Sequence, residues 1–252
     1  MSAAGELWVC DLSTIEYRAA LDLQQRVRAA RQQELVGDTL LLLEHPPVYT
    51  RGRRSDAREL PLGEDWYRAR GIDVVATDRG GKLTYHGPGQ LVGYPIMRID
   101  DVIAYLRTIE QAIVASLADA GVAAHARPDD GPDFTGVWTA SNRKIASIGV
   151  HVARGVTTHG FAINVENDLE PFSWVVACGL DGVQMTSVVE QTAAIGEPPA
   201  LPAVRASIAL HFAAAFGLTP RAVDRAQLEA VTRETRPAVA PAPQDARHLR
   251  AT

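Results

Sequence analysis

Asp78-Arg79-Gly80-Gly81-Lys82-Leu83-Thr84-Tyr85-His86-Gly87-Pro88-Gly89-Gln90 holds four glycines and a proline in thirteen residues, so its backbone path is tightly specified. Gly80-Gly81 lets main-chain amides approach a ligand closely. The spacing matches neither a Walker loop nor a dinucleotide fingerprint. A hairpin turn between two strands accounts for the glycines as well as a ligand-binding loop does. Arg79, Lys82, Tyr85 and His86, crowded around those glycines, favour the loop.

Moving outward, the segments on either side alternate between strand and helix patterns. Upstream, Leu7 to Cys10 reads as a short strand running into a helix through Ile15, Ala19, Leu23, Val27 and Ala30. Ser13 with Glu16 has capping-box spacing, and Leu12 with Tyr17 that of a hydrophobic staple. Thr39 to Leu43 is a continuous apolar run between Gly37-Asp38 and Pro46-Pro47, the pattern of a strand buried on both faces. Downstream, Ile103, Leu106, Ile109, Ile113 and Leu117 form one helical stripe between paired aspartates and Gly121. Ile145 to Val152 and His159 to Val165 read as a hairpin turning across 153–156, and Ala203 to Phe216 as a last helix. Small residues alternate along that hairpin, Ser147 with Gly149 and Gly160 with Ala162, leaving room beside the sheet for a ligand. Strands and helices without regular βαβ spacing indicate an α+β fold, a sheet with helices mainly on one side.

The chain has 252 residues with no visible linker or repeat, so one domain over 1–236 is expected, followed by a disordered Pro/Ala-rich tail over 237–252. A net charge of -5 argues against a nucleic-acid partner. Arg51, Arg53 and Arg54 are the local exception, a docking patch for an acidic partner or a solvated loop. No apolar run approaches the roughly 20 residues of a membrane span. Glu6 and Asp11 stand where a secretory signal would be basic and then apolar, so no membrane association and a cytoplasmic location are expected. Cys10 and Cys178 are the only cysteines, which excludes a disulfide framework and a paired-cysteine zinc site.

Two residues stand out chemically. Lys144 opens an otherwise apolar strand, where desolvation favours a neutral amine able to exchange protons, although most lysines at strand ends are solvated. Cys178 ends the apolar run Trp174 to Ala177 and precedes Gly179, so its sulfur could face a pocket. Buried cysteines are usually small hydrophobes, and Cys10 in the first strand fits that description.

Taken together, Asp78 to Pro95, Arg143 to Val152, Thr158 to Val165 and Cys178-Gly179 resemble the lipoyl/octanoyl transferases of protein lipoylation, over roughly residues 6 to 190. The pairing of Arg-Gly-Gly with Thr-Tyr-His-Gly-Pro-Gly-Gln is highly specific. The resemblance implies a single catalytic domain like that of biotin and lipoate protein ligases, a mixed sheet with flanking helices and a smaller second sheet. It implies transfer of octanoyl from acyl carrier protein to a lysine of lipoyl domains, those of 2-oxoacid dehydrogenase complexes and the glycine cleavage H protein, with no metal and no cofactor. By position, Cys178 becomes the acyl-thioester nucleophile and Lys144 the proton shuttle that lowers its pKa. Arg79, Gly80, Gly81, Lys82, Leu83, Thr84, Tyr85 and His86 would line the acyl site, with Ser147-Ile148-Gly149 and Gly160-Phe161-Ala162 completing it. His45, His86 and His159 take structural or positioning roles.

An ATP-dependent ligase on the same fold, a cysteine hydrolase using His86 or His159, and a non-catalytic acyl-binding module are the rival readings. Strand alternation raises one geometric difficulty. It groups Lys144 with Ala146 and Ile148, opposite Ser147 and Gly149, unless the strand begins after Lys144 or a bulge re-aims it.

Overall fold

A computed structural model describes residues 5–176, 182–194, 196–233 and 235. In chain order the strands are β1 (Glu6–Thr14), β2 (Asp38–Glu44), β3 (Val48–Arg51), β4 (Asp73–Ala76), β5 (Leu83–His86), β6 (Gln90–Ile96), β7 (Ala124–Ala126), β8 (Gly136–Thr139), β9 (Lys144–Ala153), β10 (Val156–Asn164) and β11 (Thr219–Ala222). The helices are α1 (Tyr17–Gln32), α2 (Glu64–Arg68), α3 (Val102–Asp119), α4 (Glu170–Ser173), α5 (Val188–Thr192), α6 (Leu201–Ala215) and α7 (Arg225–Thr232). Eight strands form a mixed sheet in the order β11-β1-β2-β6-β10-β9-β8-β7, and β4-β3-β5 make a second, smaller one.

Leu40 to Leu43 explain why the large sheet is covered twice. All four are essentially inaccessible, Leu40 and Leu42 packing toward α3 and α6, Leu41 and Leu43 toward α1 and Leu228 of α7. Each buried leucine contributes about 1.5–3 kcal/mol relative to exposure, so neither face can be left open. Helices therefore lie on both sides of the sheet, not mainly on one. A third core under the small sheet gathers Tyr49, Tyr67, Tyr85 and Phe172.

Two local expectations are corrected. The first helix starts at Tyr17 with Glu16 as its unassisted cap, and the capping box does not form. Ser13 instead belongs to β1 at φ 53°, its N–H donating to Asp11 Oδ1 at 2.8 Å. In α3, Asp101 caps the amides of Ile103 and Ala104, but the buried stripe runs through Tyr105, Ile109, Ile113 and Leu117. Ile103, in the first turn, is exposed, while Ile109, Ile113 and Leu117 of the expected stripe are buried with Tyr105. The β9–β10 hairpin turns on Arg154 and Gly155, both at positive φ, as a two-residue loop requires. The expected disordered tail falls outside the described residues.

Candidate active site

The predicted glycine-rich stretch closes over the hairpin of the large sheet, and a pocket lies between them. The space between them, counted with its open mouth, is about 630 Å³. Arg79, Lys82, Leu83, Thr84 and His86 line one side; Lys144, Ser147, Ile148, Gly149, Gly160, Phe161 and Ala162 line the other. Gly80, Gly81 and Tyr85 lie off the lining. Alternation along β5 turns Thr84 and His86 to the pocket and Tyr85 to the small-sheet core, 5.4 Å from Tyr49 and 5.5 Å from Phe172 between ring centres. The Gly80 amide donates to Val150 O at 2.9 Å, so the loop is laced to β9 through its backbone.

Glycine here does more than leave a gap for ligand. A Cβ on Gly160 would sit 2.1 Å from Gly93 O, and one on Gly149 would sit 2.9 Å from Gly80 O. Neighbouring backbone fills the space that the missing side chains leave. Arg79 shares in this bracing: its Nε and Nη2 donate to Thr50 Oγ1 at 3.1 and 2.8 Å, and Nη1 donates to Gly80 O.

Lys144 reaches the pocket through a bulge. The β8–β9 register runs Gly136 with Ser147 and Val137 with Ala146, then shifts so that Trp138 meets Lys144. One extra residue on β9 breaks the alternation and puts Lys144 on the pocket with Ser147 and Gly149. Its backbone is held on the other edge as well, the Lys144 N–H donating to Gln184 O at 2.8 Å and the Lys144 carbonyl oxygen accepting from the Thr186 N–H at 2.9 Å. The side chain is 2% exposed and its ammonium nitrogen lies 5.1 Å from the centre of the Trp138 ring. Cys178 lies outside the described residues. On the chain flanking it, Val176 N–H donates to Glu59 O at 3.1 Å, and Gln184 is the partner of Lys144.

Histidines and tyrosines build the inner wall. Gln90 Nε2 donates to Tyr85 O and to Asn164 Oδ1, so Gln90 Oε1 must accept from His86 Nδ1 at 2.7 Å, which leaves His86 Nε2 bare in the neutral ring. By the same logic His45 Nδ1 donates to Ile15 O and Tyr94 Oη donates to His45 Nε2, each at 2.7 Å. Burial drives His86 down to about 3, with His45 adding to the effect, and burial drives His45 to about 4. His159 is held at φ 59° inside β10, where its N–H leaves the ladder to donate to Gln24 Oε1 of α1. Its Nε2 meets Asp78 Oδ1 at 2.7 Å, and that hydrogen bond brings Asp78 to about 2.

Several lining residues had no signal in the sequence. Tyr17 and Tyr94 join the pocket from α1 and β6, while Arg54 and the loop residues Pro132, Asp133 and Thr135 form its rim, Arg54 pairing with Asp133 at 2.9 Å. The arginine run was visible but read as a docking patch or a solvated loop, not as part of the pocket; Arg51 of that run pairs with Glu64.

Residues 16–213 match the family described as the lipoyl protein ligase A/B catalytic domain. An octanoyltransferase of Solibacter usitatus is 46% identical over 209 residues, covering 81% of this chain and 90% of that one. An octanoyltransferase of Mycobacterium tuberculosis is 44% identical over 220 residues, covering 84% and 88%. Among solved structures, the bi-partite lipoate protein ligase of Thermoplasma acidophilum superposes with a TM-score of 0.68 at 20% identity, covering 92% of this chain and 91% of that chain, a likeness of fold.

Proposed function

The chain belongs to the lipoyl protein ligase A/B catalytic-domain family, and from that premise we propose an octanoyltransferase of protein lipoylation that works through a thioester on Cys178 with Lys144 as proton shuttle. Relatives named octanoyltransferase, 42–46% identical over more than four fifths of the chain, support the reaction. Lys144 supports the residue assignment: a lysine almost wholly withdrawn from water, facing the pocket, with its backbone tied to the chain just beyond Cys178.

In the first step the Cys178 thiolate attacks the carbonyl carbon of octanoyl carrier protein. A bond to Cys178 Sγ forms, the carbonyl carbon's bond to the donor sulfur breaks, and the Lys144 ammonium protonates the departing thiolate. In the second, an amine of the lipoyl-domain lysine attacks the Cys178 thioester, neutral Lys144 takes the amine proton, and the amide forms as Cys178 is released. A charged ammonium near the thiol lowers its pKa from the usual value of about 8.5. The octanoyl tail lies against Leu83, Ile148 and Phe161, gaining on the order of 0.8 kcal/mol per buried methylene. Acceptors are the lipoyl domains of 2-oxoacid dehydrogenase complexes and the H protein, and the enzyme works in the cytoplasm.

Intact-mass spectrometry after mixing with octanoyl carrier protein tests this reading. The expected result is a hydroxylamine-sensitive octanoyl adduct on Cys178, absent from Cys178→Ala. No adduct, an adduct on Cys10, or full activity of Cys178→Ala with octanoate and ATP would overturn it.

A further inference from the structure

Lys144 lies in a slot whose two walls come from β8. Gly136 and Trp138 are two residues apart and share a face of that strand. The indole stands beside the ammonium nitrogen, and the bare α-carbon of Gly136 lies under the aliphatic stem. A Cβ at Gly136 would come within 2.9 Å of Lys144 Cε and 2.4 Å of Ala146 O. The backbone there has φ 137°, which side-chain-bearing residues rarely adopt. Such a backbone persists only where its surroundings hold it.

Glu110 of α3 is what holds it. Its carboxylate is completely buried, accepts the Gly136 N–H through Oε1 at 3.0 Å, and is paired through Oε2 with Arg107. A buried carboxylate is costly unless both oxygens are satisfied, and here one of its two partners is the amide of the residue under the lysine. Helix, glycine and lysine therefore form one mechanical chain: α3 sets Gly136, and Gly136 sets the height at which the Lys144 stem crosses the sheet.

We propose that Gly136 and Glu110 are positioning residues for Lys144, acting on the reaction only through the placement of its amine. The proposal rests on the Cys178–Lys144 reading above. Displacing a reacting group by about 1 Å can cost on the order of 100-fold in rate, and the contact at 2.9 Å leaves the lysine nowhere to go but away.

The test is a pair of double-mutant cycles, read as single-turnover octanoyl transfer with circular dichroism and thermal melting as the folding control. Gly136→Ala is expected to lower the transfer rate about 100-fold with KM within threefold of wild type. In the Lys144→Ala background the same change is expected to cost less than threefold, because the group it misplaces is gone. Glu110→Ala, which removes the acceptor of the Gly136 amide, is expected to lose about tenfold alone and less than threefold with Lys144→Ala; it decides the matter if Gly136→Ala does not fold. A folded Gly136→Ala or Glu110→Ala at wild-type rate, or losses that add in full to that of Lys144→Ala, would overturn the proposal. Lys144→Ala at wild-type rate overturns the dyad itself, and that outcome is read independently of the other two variants.

Discussion

The ammonium nitrogen of Lys144 lies 5.1 Å from the ring centre of Trp138, within the range where an indole face attracts a cation. Trp138 is itself locked, its Nε1–H donating to Phe134 O at 2.9 Å and its ring lying near the Arg127 guanidinium. The lysine thus meets a wall that cannot rotate away.

Removing that wall should be felt in catalysis. A cation–π contact in a desolvated site is worth about 1–2 kcal/mol, so Trp138→Leu is expected to slow octanoyl transfer roughly 5- to 30-fold. Trp138→Phe, which keeps an aromatic face, should lose less. Initial rates of the two variants, measured on protein shown to be folded, decide this; equal losses would mean that only packing is at stake.

The two cysteines should differ in reactivity. Cys10 is fully buried in β1, and burial pushes its thiol up to about 11. At pH 8 it is an unreactive thiol. Iodoacetamide at that pH is expected to label Cys178 alone in the folded protein, with Cys10 modified only after unfolding. Peptide mapping that finds both carboxamidomethylated at similar rates would contradict it.

Acid should unfold this protein earlier than its carboxylates alone would dictate. His45 and His86 are held to about 4 and about 3, against about 6.5 unfolded. Both are neutral in either state above pH 6.5. As the pH falls below that, the unfolded chain takes up protons that the folded chain refuses, and stability declines through about pH 4, at up to about 1.4 kcal/mol per pH unit for each ring. Urea unfolding at a series of pH values measures this slope; stability unchanged from pH 6.5 to 4.5 would disagree with it.

A methyl at Gly160 should open the sheet. Its Cβ would be placed 2.1 Å from Gly93 O and 2.5 Å from Pro95 Cδ, both on the adjoining strand. Gly160→Ala is expected to destabilise the fold by about 2–4 kcal/mol, at the high end for one substitution, read from the midpoint of chemical denaturation at unchanged m-value. A shift under 0.5 kcal/mol would show that β6 and β10 can separate cheaply.

The main elements were legible from local chemistry. Leu40 to Leu43 announced a strand covered on both faces, and the structure buries all four. Asp101 announced a helix start and caps α3 as expected. Ser13 and Glu16 announced a helix start equally well but lost to the strand, because β1 pairs with β2 as far as Thr14 and Glu44. A capping motif is local, and a sheet register outweighed it.

Other features had no local signature at all. Ser147, Gly149, Gly160 and Ala162 line the pocket as their small size suggested, but nothing local indicated that Gly149 also admits the carbonyl of Gly80 and Gly160 that of Gly93. Tyr17 and Tyr94 reach the pocket from elements 77 residues apart in the chain that meet only after folding, as the positions themselves state.

By itself the sequence determined the three long helices, the strands β1, β2, β9 and β10, the glycine-rich stretch and the family those residues resemble, since periodicity, capping and backbone permissiveness act over a few residues. Only the tertiary structure decided that Lys144 faces the pocket. Strict alternation along β9 points it the other way; the shifted pairing of Trp138 with Lys144 turns it back. That shift depends on where β8 settles and on the grip of Gln184 and Thr186 on the lysine's backbone, partners that the chain acquires on folding.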